Sequence, residues 1–264
     1  LYQYHYLKRP YQLIPQLAED MPVISNDGLT YTITLKKGVF FADDTCFPEG
    51  TGREVTAEDF IYSWKRIANI KYLSKNWWIF DGRIRGLDKF RDYTKACEKR
   101  SDVDYSRPVS GLRALDRYTL RITLKKPWPQ IVYMLAHLPT APVAREAVEY
   151  YKKDIINHPV GTGPYKLNVW NKGSYIDLIK NPGFRGEKYP CQGQPEDIDA
   201  GLLHDCGKLL PLADRVMMVI VQESPPRWFL FMQGKLDVSG IPKDNFSEAI
   251  DQRGTLTGAM ANRD

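Results

Sequence analysis

The sequence has no apolar run near the roughly 20 residues that a membrane-spanning helix needs. The longest, Ile131–Ala136 and Val216–Val221, are six residues each, so no transmembrane segment is expected. It also lacks an excess of one charge. Thirty-seven Lys and Arg face 32 Asp and Glu, for a net +5, and the signs alternate in pairs such as Glu58-Asp59 and Lys152-Lys153-Asp154. A nucleic-acid partner would leave a concentrated basic stripe. The densest cluster, Arg83, Arg85, Lys89, Arg91, Lys95, Lys99 and Arg100, is broken by Asp88, Asp92 and Glu98 and reads as a solvated helix face.

Cysteine and histidine are scarce, four of each. No Cys-x-x-Cys and no Cys/His pair at zinc-ligand spacing occurs, so neither a metal nor a cofactor is expected. His5, His137, His158 and His204 stand apart from any serine or cysteine in a nucleophile setting. No secretory leader is legible at Leu1-Tyr2-Gln3-Tyr4, and Gly254–Asp264 is small and polar. The chain therefore reads as a fragment of something longer. Wholesale disorder is excluded by 16 Tyr, 10 Phe and 6 Trp, which supply ample surface to bury.

Strands and helices alternate along what is there. Tyr31, Ile33 and Leu35 share one face of a strand after the turn Asn26-Asp27-Gly28. Thr56 with Asp59 three residues on predicts a capped helix start, and Phe60, Trp64 and Ile67 follow at helical spacing. A second helix with a charged outer face is expected over 87–99. Leu120, Ile122 and Leu124 mark another strand, stopped by Pro127. Two short helices are expected over 128–137 and 143–153.

After Asn157-His158-Pro159 the texture changes. Val160-Gly161-Thr162-Gly163-Pro164 reads as a tight turn, with Gly161, Thr162 and Gly163 as its structural residues. It is not a phosphate loop, because Pro164 removes an amide and no Gly-Lys-Ser/Thr follows. Strands over 165–170 and 175–180 form a hairpin through Asn171-Lys172-Gly173. Residues 181–214 are loop-rich. Val216–Val221 reads as a fully buried strand, Ser224-Pro225 opens a helix to Gln233, Leu236-Asp237-Val238 begins a short strand, and Asp244 or Asn245 caps a last helix over 246–252. The class is mixed α/β with antiparallel pieces.

Three groups of residues invite chemistry. Asp43-Asp44, with Glu49, Glu54 and Asp59, could serve a hydrolase if two carboxylates converged, or could cap amides before the helix. Cys191 and Cys206 bracket a Gly- and Asp-rich segment and suit either a disulfide or two free thiols. In Asn76-Trp77-Trp78, two adjacent indoles cannot share one narrow stripe, so at least one is expected at a surface or cleft. Trp228, Phe229, Phe231 and Met232, at helical spacing, read as core.

Val160–Leu167, then Ile176–Lys180 and Asn181-Pro182-Gly183-Phe184-Arg185-Gly186, resemble family 5 of the extracellular solute-binding proteins, the oligopeptide and dipeptide receptors of ABC importers. Leu35-Lys36-Lys37-Gly38-Val39, Val55–Phe60 with Tyr62-Ser63-Trp64, and Gln233-Gly234-Lys235-Leu236-Asp237 continue the resemblance in order. It implies a periplasmic-binding-protein-like type II lobe plus an extra α/β domain, with the second lobe missing. Residues 1–155 would be mostly that extra domain with part of lobe one at its start, and 156–264 the central part of lobe one. It implies binding without catalysis, periplasmic or extracellular. The partners would be a peptide or another small solute, sugar, nickel chelate or haem included, and ABC permease subunits. It places Asn76, Trp77 and Trp78 near the ligand cleft and leaves the role of the 191–211 insert open. A carbohydrate-active or peptide-cleaving enzyme is the alternative class.

Overall fold

The computed structural model describes residues 1–257 and 260, which pack as two units: residues 1–167 with 179–215, and residues 168–178 with 216 onward.

The first unit begins with a two-stranded antiparallel ribbon, β1 (Tyr2–Tyr4) and β2 (Leu13–Pro15), with Gln3 opposite Ile14. β3 (Val23–Ile24) leads to β4 (Thr30–Thr34). Next comes α1 (Ala57–Ala68), whose start carries the expected box: the Asp59 carboxylate accepts the Thr56 N–H at 2.8 Å. Asp59 is buried, and Arg53 joins it at 2.7 Å to Glu146 at 2.5 Å. Burial opposes the Arg53 charge, but the two carboxylates outweigh that and raise its pKa. Phe60 and Trp64 are fully buried, and the Trp64 indole N–H donates to the Thr140 carbonyl at 3.0 Å.

α2 (Leu87–Ala96) buries Leu87, Phe90 and Thr94 and ends three residues before the expected Lys99. β5 (Leu112–Ala114) and β6 (Thr119–Thr123) complete an antiparallel sheet in the order β3-β4-β6-β5. Its register pairs Tyr31 with Ile122 and Ile33 with Leu120, so the period-2 apolar positions share one face, and all four are buried. Gly111 is obligatory at the start of β5, because a Cβ there would sit 2.6 Å from the carbonyl oxygens of both Arg85 and Thr123. α3 (Ile131–Met134) and α4 (Arg145–Tyr151) are shorter than the patterns over 128–137 and 143–153 suggest. Pro129, Pro139 and Pro142 limit α3 and its surroundings, and Lys152 turns the chain out of α4 with a left-handed φ of 51°.

The hairpin strands β7 (Tyr165–Asn171) and β8 (Tyr175–Lys180) carry Gly173 at φ 80°, as the turn requires. In the 181–214 stretch, a short α5 (Pro195–Asp199) lies inside the loop closed by a clasped ladder. Glu187–Tyr189 pairs with Gly207–Leu210 through Leu210 N–H to Glu187 O at 2.8 Å and Tyr189 N–H to Lys208 O at 2.9 Å. A disulfide joins Cys191 to Cys206 just beyond it. Cys46 and Cys97 are free.

The second unit holds the hairpin tip, where Asn168 donates to the buried Asp177 at 2.6 Å, and most of β9 (Arg215–Val219), the edge strand of the order β7-β8-β9. The expectation of a fully buried strand fails here. Met217, Met218, Val219 and Ile220 are each at least 40% exposed, and since successive strand side chains point to opposite faces, neither face of β9 is fully covered by the described residues. α6 (Ser224–Met232) starts at its proline pair and buries Trp228, stacked on Phe231 at 5.4 Å, while Phe229 points outward. Leu236–Val238 is not a strand; it follows Gly234, at φ 69°, as irregular chain with Val238 exposed. α7 (Phe246–Ala249) stops three residues short of Gln252.

Candidate functional site

Two cavities adjoin in the first unit. The larger, about 1020 Å3, lies between the β1-β2 ribbon, the chain after β4, the approach to β6 and the segment 185–190. The smaller, about 460 Å3, lies under residues 161–164 and 135–138. Gln3, Tyr6, Arg185 and Glu187 line both.

The alternating ribbon explains the first wall. Tyr2 turns into the core while Gln3 faces the cavities. His5 then closes the ribbon, its Nδ1 accepting the amides of Leu7 and Lys8, each at 3.2 Å. Burial, helped by Lys8, pushes its pKa down, so at neutral pH the ring stays uncharged and fixed as an acceptor. Tyr6 stacks on Tyr189 with ring planes 12° apart, which ties the ribbon to the disulfide-clasped ladder.

Arg185 organises the opposite wall. It is ion-paired with Glu187, and its Nη1 donates to the Thr162 carbonyl at 3.0 Å. Its Nε is buried without a hydrogen-bond partner among the described residues. Lys36, across the cavity mouth, has its pKa lowered by burial, with Glu187 opposing that shift and Arg185 adding to it. Lys36, Lys37, Arg117, Arg185 and Lys188 thus share the lining with Glu19, Asp116 and Glu187. Cations and carboxylates within one cavity can hold a molecule that carries both charges. Two nearby lining residues are fixed from behind: the Glu54 carboxylate accepts Tyr118 OH at 2.7 Å and Arg117 at 3.2 Å.

Gly161, Thr162 and Gly163 act through their carbonyls. Ala42 N–H donates to Gly161 O at 2.8 Å, Arg185 to Thr162 O, and the Asn181 amide to Gly163 O at 3.0 Å. Asn181 N–H adds Pro164 O at 2.9 Å. Neither glycine has a left-handed φ, and a Cβ at Gly161 would meet nothing within 4 Å. Trp78 is half exposed, 51%, and meets His137 edge-on at 6.3 Å; His137 lines the smaller cavity. Trp77 instead packs against the core, with the Arg91 guanidinium 4.7 Å over its ring. Asn76 is half-buried and its carbonyl accepts Ile79 N–H at 3.1 Å. None of the three lines the larger cavity.

The carboxylates of the acidic loop hold main-chain amides. Asp43 accepts Gly52 N–H at 2.9 Å, Asp44 accepts Cys46 N–H at 2.9 Å, and Asp59 caps α1. Sequence reasoning missed Tyr6 and Glu187. Lys36 and Arg185 were visible only as parts of the Leu35–Val39 and Asn181–Gly186 motifs, because a cavity wall assembled from separate chain segments leaves no local spacing to read.

The model of the family described as bacterial extracellular solute-binding proteins, family 5 Middle, matches residues 12–260. The chain belongs to that family. Among family 5 relatives, the glutathione-binding protein GsiB of Salmonella paratyphi A is 31% identical over 189 residues, covering 68% of this chain and 30% of GsiB. GsiB of Escherichia coli O157:H7 is 31% identical over 168 residues, 64% of this chain and 26% of that one. The chain therefore spans about a third of the length of these curated relatives or less. Listeria monocytogenes OppA bound to peptide superposes with TM-score 0.70 at 21% identity, over 96% of this chain and 42% of OppA. The periplasmic binding protein DppA from Helicobacter pylori, in complex with the peptide STSA, gives 0.64 at 25%, over 94% and 42%. Family and fold are those of substrate-binding proteins, and the mixed α/β architecture is the periplasmic-binding-protein-like one.

Proposed function

We propose that this chain belongs to an extracytoplasmic receptor, periplasmic or extracellular, that captures a peptide-like solute and delivers it to the permease subunits of an ABC importer. The family match over residues 12–260 carries this reading. The mixed-charge lining supports the solute class, since a short peptide carries both an ammonium and a carboxylate. The GsiB relatives favour a small anionic peptide such as glutathione, and the net basic lining suits it. The role is binding without catalysis: main-chain and side-chain hydrogen bonds hold the solute, and closure of two lobes signals the permease.

In the same reading, Trp78 supplies an aromatic wall beside the smaller cavity, with Asn76 and Trp77 holding its turn, and Gly161–Gly163 serve the backbone. Residues 1–155 are mostly the family's extra domain, and 156–264 the central part of lobe one.

The test is calorimetric titration of the full-length protein with glutathione and with a mixed di- to pentapeptide library, plus mass spectrometry of co-purifying solute. Saturable binding that Arg185→Ala or Trp78→Ala weakens is expected. A sugar or metal chelate retained in place of any peptide would sink the peptide reading and leave the family standing.

A further inference from the structure

On another face of the first unit a cleft of about 680 Å3 lies between α1, α4 and the turns near Tyr72 and Arg100. That is within the roughly 300–1,000 Å3 range of small-molecule sites. None of its lining residues belongs to the two cavities described above.

Its aromatic part is Tyr62, Tyr72 and Tyr105, the rings of Tyr62 and Tyr105 lying 5.0 Å apart. Burial pushes the Tyr62 hydroxyl up to about 12 and raises Tyr105 as well, so both remain protonated and able to donate at neutral pH. Tyr105 OH already accepts the Asn69 amide at 2.7 Å.

Its charged part is Lys99, Arg100, Arg145, Lys152 and Lys153, with Glu149 the single acid in the lining. Glu149 is taken by Arg145 at 2.5 Å. Asp102 lies outside the lining and accepts the main-chain N–H of Lys99 at 2.9 Å. Gathering this much charge of one sign around a low-dielectric wall concentrates field into the cleft. Lys152 and Lys153 reach it because the chain leaves α4 through the strained left-handed φ at Lys152.

One lining guanidinium, that of Arg100, is held against an aromatic ring. Tyr72 carries Arg100 at 4.2 Å and Arg66 at 4.7 Å from its ring centroid. Arg66 itself is not among the cleft's lining residues, and Arg100 Nη2 donates to the Lys71 carbonyl at 3.4 Å. A guanidinium pinned by a ring keeps its N–H fork oriented, which is the geometry that binds oxyanions two-pronged.

We propose that this cleft is a second binding site, for a small ring-bearing organic phosphate whose ring lies on the tyrosines and whose phosphate sits among Lys99, Arg100, Lys152 and Lys153. The site stands independently of the solute reading, since it shares no residue with those cavities.

The experiment is calorimetry of the full-length protein at low salt with phenyl phosphate and with inorganic phosphate. One saturable site is expected, with phenyl phosphate about tenfold tighter than inorganic phosphate and both weakening as salt rises. Lys99→Ala with Arg100→Ala is expected to weaken both ligands about tenfold. Tyr72→Leu, which keeps bulk against α1, should abolish the preference for the ring-bearing ligand. These lysines and Arg100 are exposed, and unchanged melting curves will confirm that the variants fold. Absence of saturable phenyl phosphate binding, equal affinity for the two ligands, or indifference to Lys99→Ala with Arg100→Ala would each overturn the proposal.

Discussion

The inner strands β4 and β6 of the first sheet and the edge strand β9 of the second draw on the same kind of apolar residue, yet those residues meet opposite fates. In the first, Ile33, Leu120 and Ile122 are fully excluded from solvent under α1. In the second, Met217, Met218 and Val219 stay nearly half exposed on an edge strand. An apolar pattern thus specifies that a strand forms and which residues share a face. What covers that face is decided by elements elsewhere in the chain.

The sharpest way to break this comparison is to remove a ring from each region. Trp64→Ala empties a site under the first sheet and cuts the hydrogen bond to Thr140, so a loss of about 3–5 kcal/mol is expected in urea unfolding. A loss below about 1 kcal/mol would mean that the first unit is no better packed than the second. Next in size is Gly111→Ala, whose Cβ meets two carbonyl oxygens. Overpacking there is expected to cost about 1–3 kcal/mol; an unchanged midpoint would show that the β5 start can shift freely.

A smaller effect distinguishes the regions by pH. Burial raises the Glu146 pKa, but the hydrogen bonds and charge of Arg53 outweigh it and leave the pKa lowered. A carboxyl depressed on folding stabilises above its unfolded pKa, about 4.3 for glutamate, and that stability is lost as pH falls through the lower folded value. Arg53→Met should therefore flatten the acid limb of the first unit's stability between pH 5 and 3, read by thermal melts. An acid limb identical in the variant would remove Arg53 from the account. The smallest effect belongs to Phe229→Ala, at a ring 65% exposed. A change within about 0.5 kcal/mol is expected, and a loss above 2 kcal/mol would show that the α6 face is covered in solution.

Local chemistry was legible wherever it was self-contained. Thr56 with Asp59 announced α1, Asn171-Lys172-Gly173 announced the hairpin, and Ser224-Pro225 announced α6, because each signal and its consequence lie within a few residues. The family was legible from Gly161–Leu167 and its ordered companions. The cavity walls were not: Tyr6, Lys36, Arg185 and Glu187 come together through tertiary packing of separate segments. Leu236–Val238 misled for a related reason, since three residues of strand-like composition carry too little pattern without a neighbour to pair with.

The clasp between Cys191 and Cys206 bears on how the protein matures. The ladder it ties places Glu187 and Lys188 in the cavity wall, and closing a loop of 15 residues is worth about 3 kcal/mol in the chain-entropy view. With the two thiols reduced that entropic gain is absent, so the ladder is expected to hold the wall less firmly before oxidation than after it.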